Sequence, residues 1–544
     1  MFIKRLVAYS AIAMLMLASC AGPSENCANC GKPDEQQLYV GDDIAIAQTQ
    51  YGKVQGFILR GVYTYLGIPY GASTAGENRF MPPQEPESWD GVRQALFYGT
   101  QAPQPREGKY ANSKSAFTDH WNYFDIGEDC LNLNVWTPAL DNNKRPVLVW
   151  MHGGGYSAGN SIEQDGYNGA NMAKEGDVVF VSVNHRLNVF GYTDFSGVGD
   201  PALAESVNLG QQDLVAALKW VNQNIANFGG DPDNVTIMGQ SGGGAKVCTT
   251  IAMPSAEGLV QKGVALSGNT TTAADPQVSQ ALGKAIYKAA GGLKKLQSMS
   301  WEEYYELANS VAAKVGGSFS PVADGKYIPA QFYSDPASFN SNIPLIICTC
   351  SSESSYSNYL PELEDIDFDK ATELLGSMFN QSKPADVMAA LKEAFPEKKP
   401  IELLNFLAAS RAGALRTADA KSQQNAPVYL ALFDYNANLF DGRIRAFHCA
   451  DISYWFRNTD LMLSHTGGGK EPREVSEHMS QALLAFMRTG DPNCDVNPEW
   501  PAYTTEEAPT MIFGTNPVVK NNLDKKIIEV ADPFNRYAAQ QKKK

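Results

Sequence analysis

Short apolar runs alternate along the chain with longer segments in which apolar residues recur at helical spacing. Seven runs rich in Val, Ile and Leu have the composition of buried strands, and the run at 235–238 that of a buried parallel strand. They lie at 133–136, 146–151, 177–183, 235–238, 263–266, 343–348 and 428–433. Because helix-length segments separate most of these runs, the pattern predicts an open α/β sheet.

Amphipathic periodicity indicates the helices around these strands. In 211–228, Leu214, Leu218, Val221 and Ile225 fall on one helical face. Further mainly helical patterns lie at 275–316, 366–416 and 474–488. We interpret the first two of these as helical insertions and the third as a late amphipathic helix.

Glycines alternate with β-forming residues in 49–71, which predicts antiparallel strands ahead of the main sheet. The predicted fold class is therefore α/β, with a large, mostly parallel sheet flanked by helices, an antiparallel N-terminal strand region and helical insertions. Length alone would suggest about three or four domains. No long linker, low-complexity tract or repeat follows residue 44, so we predict a single domain over 41–544.

Composition narrows the classes of function. The 544 residues include 44% hydrophobic positions, enough for a large core, and carry a net charge of −15. This acidity argues against a broad nucleic-acid-binding surface, and we expect no nucleic-acid partner. Cys27 and Cys30 form a Cys-x-x-Cys pair without a second Cys/His pair at ligand spacing, so no metal site is predicted.

The N-terminus has the pattern of an export signal. Lys4 and Arg5 precede an apolar run from Leu6 to Leu17, and Leu-Ala-Ser then leads into Cys20. This junction resembles the bacterial lipobox, which implies a signal peptide over 1–19 and acylation of Cys20. Residues 20–40 would then be a flexible tether, and the protein an exported lipoprotein, periplasmic or on the cell surface. The absence of aspartate after Cys20 favours the outer membrane. An ordinary signal peptide with an incidental cysteine, or a single membrane-spanning anchor, are the alternatives.

The strongest chemical motif is Gly239-Gln-Ser241-Gly-Gly243. It follows the apolar run 235–238 directly and precedes a segment free of proline until Pro254. A strand, a Gly-x-Ser-x-Gly turn and a helix together form a nucleophile elbow, in which glycines avoid collisions beside a strained serine. Ser241 is therefore the candidate nucleophile; a Gly/Ser turn without chemistry is the alternative.

A serine nucleophile needs a base, and the chain has only six histidines. In α/β-hydrolase order the histidine follows the serine, which excludes the three earlier ones. His478 falls within the late helix, and His465 precedes a glycine-rich segment that we interpret as a loop. His448 follows the last predicted strand beside apolar residues, so it is the best base, although a core histidine or one paired with Asp451 would fit too.

The imidazole in turn needs a carboxylate to fix its tautomer. Glu353 lies just past the run 343–348, at the end of a strand where catalytic loops gather. Asp324 is the competitor, but no strand leads into it, and it more readily caps a turn.

A glycine loop completes the predicted chemistry. The run 146–151 leads into His152-Gly-Gly-Gly, where glycines allow backbone N–H groups to converge on one point. After a strand and upstream of an elbow, it matches an oxyanion-hole motif. We expect the N–H groups of Gly154, Gly155 and Gly242 to be the donors.

With these motifs in place, the chain resembles the type B carboxylesterase/cholinesterase family of α/β-hydrolases, and in particular its bacterial para-nitrobenzyl-esterase-like members. The matching segments are YLGIPY at 65–70, EDCLNLNVW at 128–136, HGGGY at 152–156, VNHRL at 183–187, NIANFGGDPDNVT at 224–236 and GQSGG at 239–243. The resemblance implies one catalytic domain, a triad at Ser241, Glu353 and His448, hydrolysis of small-molecule carboxylic esters and no cofactor.

Three departures from the family pattern change the expectations. Gln240 replaces the usual glutamate before the nucleophile, which removes a negative charge that favours cationic choline esters. Gly242 replaces the usual alanine but still offers its N–H. Ala102 stands where the family has the cysteine that pairs with the one at Cys130, so Cys130 should be a free thiol.

We therefore expect a serine carboxylesterase that forms an acyl-enzyme. A non-catalytic binding or adhesion protein on the same scaffold is a second hypothesis, since some family members have taken that route. A lipase or peptidase variant is a third. Activity on long-chain lipids or on short acyl esters would distinguish the third from the first.

Overall fold

A computed structural model describes residues 36–105, 125–407 and 410–532. Numbered in chain order within these ranges, the strands are β1 Leu38–Tyr39, β2 Ile46–Thr49, β3 Gly52–Gln55, β4 Phe57–Leu59, β5 Val62–Pro69, β6 Val92–Gln94, β7 Asn132–Thr137, β8 Arg145–Met151, β9 Val179–Val183, β10 Gly230–Gln240, β11 Lys262–Leu266, β12 Leu345–Cys350, β13 Val428–Phe433, β14 Thr510–Phe513 and β15 Val518–Lys520.

The α-helices of the same ranges carry most of the remaining core residues. They are α1 Ala170–Gly176, α2 Asn188–Tyr192, α3 Leu209–Asn224, α4 Gly242–Ala252, α5 Pro276–Ala290, α6 Leu293–Ser298, α7 Trp301–Val315, α8 Phe368–Ser377, α9 Pro384–Ala394, α10 Pro400–Leu407, α11 Ser410–Lys421, α12 Ile452–Trp455, α13 Leu463–Thr466, α14 Lys470–Thr489 and α15 Lys525–Val530. None of the helices in the described ranges combines the length and apolar content needed to cross a bilayer.

One large sheet organises the described part of the chain. Its twelve strands follow the order β1-β4-β5-β7-β9-β8-β10-β11-β12-β13-β14-β15. Every pair from β9 to β14 is parallel, and the pairs toward both edges are antiparallel. A separate small sheet joins β2, β3 and β6. The predicted α/β class, mostly parallel with an antiparallel N-terminal region, is confirmed.

The central strands are apolar on both faces because both faces are covered. In β8, Val147 and Val149 point into one core cluster, whereas Leu148 and Trp150 point into the other. The long helix α3 packs its apolar face into the first cluster, and α14 packs into the second. This arrangement explains the continuous apolar runs of the sequence.

The helical insertions form clusters of their own. Helices α5 to α7 pack around α2 in one satellite cluster, and α8 to α10 pack with α15 in another. The predicted helical character of 275–316 and 366–416 is confirmed.

The beginning of the described chain differs from the predicted tether over 20–40. Leu38 and Tyr39 form β1 and pair antiparallel with Leu59 and Ile58 of β4. The Arg60 N–H also donates to the Gln37 carbonyl oxygen at 2.8 Å. The chain therefore joins the sheet a few residues before the predicted boundary, because backbone hydrogen bonds recruit even this exposed segment. The rest of the tether, Cys20 and the signal segment 1–19 lie outside the described residues.

Candidate active site

Ser241 occupies a sharp turn between a strand and a helix. β10 ends at Gln240 and α4 begins at Gly242, and Ser241 between them has φ 57° and ψ −123°. This conformation is strained for a residue with a side chain and persists where the surroundings enforce it. One such restraint is the Ser241 N–H, which donates to the Leu266 carbonyl oxygen of β11 at 2.8 Å.

The elbow glycines leave room for the neighbouring strand. A Cβ atom on Gly239 would lie 2.7 Å from the Met151 carbonyl oxygen, and one on Gly243 would overlap the same oxygen. The steric reason inferred from the sequence for these two glycines is confirmed.

The glycine loop after β8 lies against the start of α4. Gly154 and Gly155 have φ values of 79° and 63°, which residues with side chains rarely adopt. A Cβ atom on Gly242 would overlap the backbone of Gly155. The three candidate donors are therefore brought into one small region, and this contact accounts for glycine at 242, where the family usually has alanine.

Glu353 and His448 form a close pair. His448 Nδ1 lies 2.5 Å from Glu353 Oε2, and Glu353 Oε1 accepts a hydrogen bond from the Cys350 N–H at 2.9 Å. The Glu353 side chain is only 4% exposed, whereas that of His448 is 26% exposed. A fixed, buried carboxylate thus orients a partly accessible imidazole, the arrangement that sets the tautomer of a catalytic base.

Gln240 connects this pair to the elbow. Its Nε2 lies 3.3 Å from His448 Nε2 and 3.4 Å from His448 Nδ1, so the carboxamide faces the imidazole ring. Its Oε1 accepts a hydrogen bond from Cys449 Sγ at 3.1 Å. The residue before the candidate nucleophile therefore contacts the candidate base directly.

The elbow and the Glu353–His448 pair lie close together, but the described residues Ser241 and His448 are not hydrogen-bonded to each other. Between the described residues Ser241 and His448, no hydrogen bond joins Oγ to the imidazole. A hydrogen bond between nucleophile and base forms or tightens in the complex with substrate.

The other described histidines have different surroundings. His152 and His185 are buried and stack with their ring centroids 5.1 Å apart. His478 Nδ1 lies 2.9 Å from Asn497 Oδ1. His465 lies in α13, is 3% exposed and packs edge-on against Phe447, and the glycine-rich segment after it forms the predicted loop between α13 and α14. The glycines that suggested a loop come after this short helix.

Asp324 is the turn cap expected from the sequence. Its Oδ1 accepts hydrogen bonds from the backbone N–H groups of Lys326 and Tyr327, both at 2.7 Å. Its Oδ2 accepts one from Asn208 Nδ2 at 2.7 Å. This carboxylate is therefore occupied in holding a turn.

Asp451 is a second buried carboxylate near His448. Its Oδ2 accepts a hydrogen bond from Trp455 Nε1 at 3.3 Å, and its Oδ1 has no hydrogen-bond partner among the described residues. Burial, together with the neighbouring Glu353 carboxylate, raises the pKa of Asp451 to about 7. His448 is paired with Glu353. Asp451, which the sequence offered as an alternative partner of His448, is therefore not its hydrogen-bond partner.

Lys246 is a polar feature that sequence patterns did not single out. It lies in α4 and is fully buried, and its Nζ donates a hydrogen bond to the His152 carbonyl oxygen at 2.9 Å. Burial lowers its pKa to about 7, against the opposing effect of Glu163. The available signal was a lone lysine in an otherwise uncharged helix.

Cysteine and metal chemistry add little to this site. Cys130 and Ala102 are both buried in the same core cluster, and Cys130 is a free thiol, as the resemblance implied. Burial raises the pKa of the Cys130 thiol. Across the described ranges, no three His, Cys, Asp or Glu side chains are grouped so that they could hold a metal ion.

Comparison with known proteins places the chain among esterases. The carboxylesterase family model matches residues 43–531. The para-nitrobenzyl esterase of Bacillus subtilis (strain 168) is 33% identical over 492 residues, which cover 88% of this chain and 96% of that protein. The phenmedipham hydrolase of Pseudarthrobacter oxydans is 30% identical over 483 residues, covering 86% and 95%.

Solved structures agree with this placement. An esterase from Clostridium hathewayi, described as able to hydrolyse aliphatic aromatic polyesters, superposes with a TM-score of 0.78 at 34% identity, covering 91% of this chain and 99% of that one. The carboxylesterase EST55 of Geobacillus stearothermophilus gives a TM-score of 0.74 at 32% identity, with 90% and 100% coverage. The chain therefore belongs to the carboxylesterase family of α/β-hydrolases and is a carboxylic ester hydrolase similar to para-nitrobenzyl esterase.

Proposed function

We propose that this carboxylesterase works through an acyl-enzyme on Ser241. His448 takes the proton from Ser241 Oγ as the oxygen attacks the ester carbonyl, and it then gives that proton to the leaving alcohol. Glu353 orients His448 and stabilises the imidazolium. Water, activated by the same histidine, then cleaves the acyl-enzyme and restores the serine.

The glycine N–H groups would stabilise the tetrahedral intermediate formed in each half of the reaction. Gly154 and Gly155 supply two donors from the loop, and Gly242 supplies a third from the start of α4. Each donor of this kind typically contributes about 2.7 to 4 kcal/mol to the transition state. The close approach of Gly242 to the backbone of Gly155 supports a site in which the start of α4 and the glycine loop act together.

One observation carries the proposal: the 2.5 Å contact between Glu353 and His448, joined through Gln240 to the strained turn at Ser241. These residues are far apart in the chain, and their proximity in the fold supports a serine nucleophile served by a histidine base. A binding protein would have no need of this pairing.

We also propose neutral esters as substrates. Gln240 provides no negative charge that would attract a cationic choline ester, and it is fully buried beside His448. The names of the relatives, a para-nitrobenzyl esterase and a polyester-hydrolysing esterase, support uncharged esters, some with an aromatic component.

The test compares three proteins on p-nitrophenyl acetate and butyrate: the full chain purified in detergent, Ser241→Ala and Ser267→Ala. Ser267 is a matched control because it too follows a parallel strand, has a positive φ of 49° and donates its N–H to the next strand, to Cys348. We expect a phenolate burst and organophosphonate labelling of the wild type, and loss of both in Ser241→Ala alone.

A folded wild-type protein that hydrolyses neither ester and takes no label would overturn the proposal. The non-catalytic binding protein would then be the leading hypothesis. Equal loss in the two serine variants would show that the turns, and not the hydroxyl of Ser241, are essential.

We further propose that Cys20 carries lipid and tethers the enzyme to a membrane surface after export, to the periplasm or the cell surface, with the outer membrane as the favoured site. The basic, apolar and small-residue segments that end at Cys20 support this proposal. The catalytic domain would then meet its esters outside the cytoplasm.

A further inference from the structure

We propose that Lys246 is a positioning residue of the oxyanion loop, whose ammonium group holds the His152 carbonyl and places a positive charge behind Gly154 and Gly155. The inference rests on the proposed role of these glycines in ester hydrolysis. It assigns to a buried lysine a part in the reaction that lies outside the triad.

The contacts of the loop give the lysine this position. Lys246 lies on α4, the helix that begins directly after Ser241, and its Nζ lies 2.9 Å from the carbonyl oxygen of His152, the first residue of the loop. The opposite part of the loop, at Gly155, abuts Gly242 on the same helix. One helix therefore carries the nucleophile and holds both ends of the loop that supplies the donors.

The surroundings make Lys246 the cation of this cluster. His152 and His185 stack beside it, and burial, reinforced by Lys246, lowers the pKa of both, so both rings are neutral when the lysine is charged. Glu163 faces the group as its counter-charge.

Arg186, the residue that follows His185, is a charged group whose charge is already balanced. The Arg186 guanidinium is paired with the buried Asp213 carboxylate at 2.7 Å. With Arg186 paired and both histidines neutral, the proton on Lys246 is the variable charge beside the loop.

Protonation of Lys246 should matter most in the transition state. A hydrogen bond from an ammonium group to a carbonyl is stronger than one from a neutral amine. The positive charge also favours the oxyanion, which exists only once the serine has attacked. Loss of the proton should therefore lower kcat and leave KM nearly unchanged.

The pH range follows from the burial of the group. Because burial lowers the pKa of Lys246 to about 7, the ammonium form prevails below neutral pH and is lost as the pH rises above it. The contribution of Lys246 to kcat should be largest near pH 6 and small near pH 9.

The experiment measures kcat and KM of the full chain, Lys246→Met and Lys421→Met from pH 6 to 9, with p-nitrophenyl butyrate followed at the isosbestic wavelength of the product. Lys421 is a matched control: it is also fully buried, donates to one backbone carbonyl, that of Asn340, at 2.8 Å, and has a pKa lowered by burial to about 7. It contacts no part of the oxyanion loop.

We expect the ratio of wild-type kcat to Lys246→Met kcat to be about tenfold at pH 6, the scale typical of groups that orient a catalytic residue. The ratio should fall toward one at pH 9. Because groups present in both proteins titrate alike, their effect on kcat does not appear in the ratio. For Lys421→Met the ratio should stay near one throughout. Methionine matches the lysine stem, and thermal unfolding will verify that both variants are folded.

A Lys246→Met ratio that is independent of pH, whether one or larger, would overturn the inference, since packing alone would then explain it. An equal, pH-dependent effect of Lys421→Met would overturn it as well. Failure of the proposed function looks different: the wild type itself would show neither burst nor label, and both proposals would fall together.

Discussion

His448 has two polar neighbours of different charge. Glu353 lies at its Nδ1, and the Gln240 carboxamide faces its ring. The carboxylate holds the Nδ1 side of the ring, whereas the amide contacts the ring without adding charge. These two contacts can be separated by substitution.

Replacing Glu353 by Gln should lower kcat by about 10⁴-fold, the loss seen when the carboxylate of a serine–histidine triad is made neutral. The amide keeps the shape but presents an N–H where the imidazole needs an acceptor. Steady-state kinetics on p-nitrophenyl butyrate measure the effect. Asp324→Asn, which alters the competing carboxylate, should retain kcat; a larger loss there than in Glu353→Gln would reverse the assignment.

Replacing Gln240 by Glu should move the acidic limb of the kcat/KM profile to higher pH by about 1 to 2 units, because a carboxylate this close stabilises an imidazolium. More of the histidine is then protonated at a given pH and unable to act as a base. The neutral variant Gln240→Met should leave the limb in place. An unshifted limb in the Glu variant would show that the 3.3 Å contact with His448 has no electrostatic effect on catalysis.

The segment that follows β13 carries both the proposed base, His448, and an unusual acid, Asp451. Asp451 precedes the short helix α12 and is fully buried, with one carboxylate oxygen lacking a hydrogen-bond partner among the described residues. Because its pKa is raised to about 7, the folded state binds a proton between about pH 4 and 7 that the unfolded chain releases. The stability contributed by this group is therefore present at low pH and is lost as the pH rises through 7.

Asp451→Asn should remove this part of the pH dependence. The free energy of unfolding of the wild type should fall between pH 5 and 8 by on the order of 2 to 4 kcal/mol more than that of the variant, because the variant has no charge to bury. Urea unfolding at the two pH values measures the difference. Parallel curves for the two proteins would contradict the expectation.

Strands with a local apolar pattern could be predicted from the sequence, whereas strands that depend on pairing with distant residues could not. The runs in β8, β11 and β13 are apolar because both faces of the sheet are covered, and that signal is local. β14 was not predicted, because four residues after a long irregular segment give no clear pattern. β10 begins at Gly230, before the predicted run, since pairing with β8 draws in turn-forming residues through a register shift.

The candidate site divides in the same way. Ser241, Glu353 and His448 could be proposed from the sequence because each follows a strand, with a motif or chain order to select it. Lys246 could not, since its acceptor, His152, is 94 residues earlier and the contact exists only in the folded sheet. The facing of Gln240 and His448 likewise depends on the order of the strands.

The proposed catalytic residues and the proposed lipid attachment site lie in different parts of the chain. The sheet and its helices occupy the described ranges, whereas the proposed lipid site at Cys20 lies before them. The family match begins at residue 43, after the proposed tether. Attachment and activity should therefore be separable by a single substitution.

Cys20→Ala should release the enzyme from the membrane fraction while leaving kcat unchanged, because the acyl chains that hold it there would be missing. Fractionation of expressing bacteria, together with incorporation of labelled palmitate, measures this. Cys27→Ala is the matched control and should remain labelled and membrane-bound. A Cys20→Ala protein that still takes palmitate would contradict the lipid assignment.

The order of the strands along the chain has a consequence during translation. β8 and β10 bring the glycine loop to Ser241, but the proposed base is synthesised much later, since His448 follows its contact Gln240 by 208 residues. A nascent or prematurely terminated polypeptide would contain the elbow and the loop and still have no base. Esterase activity should therefore appear only in chains whose translation has passed β13, so that unfinished copies cannot hydrolyse esters inside the cell that makes them.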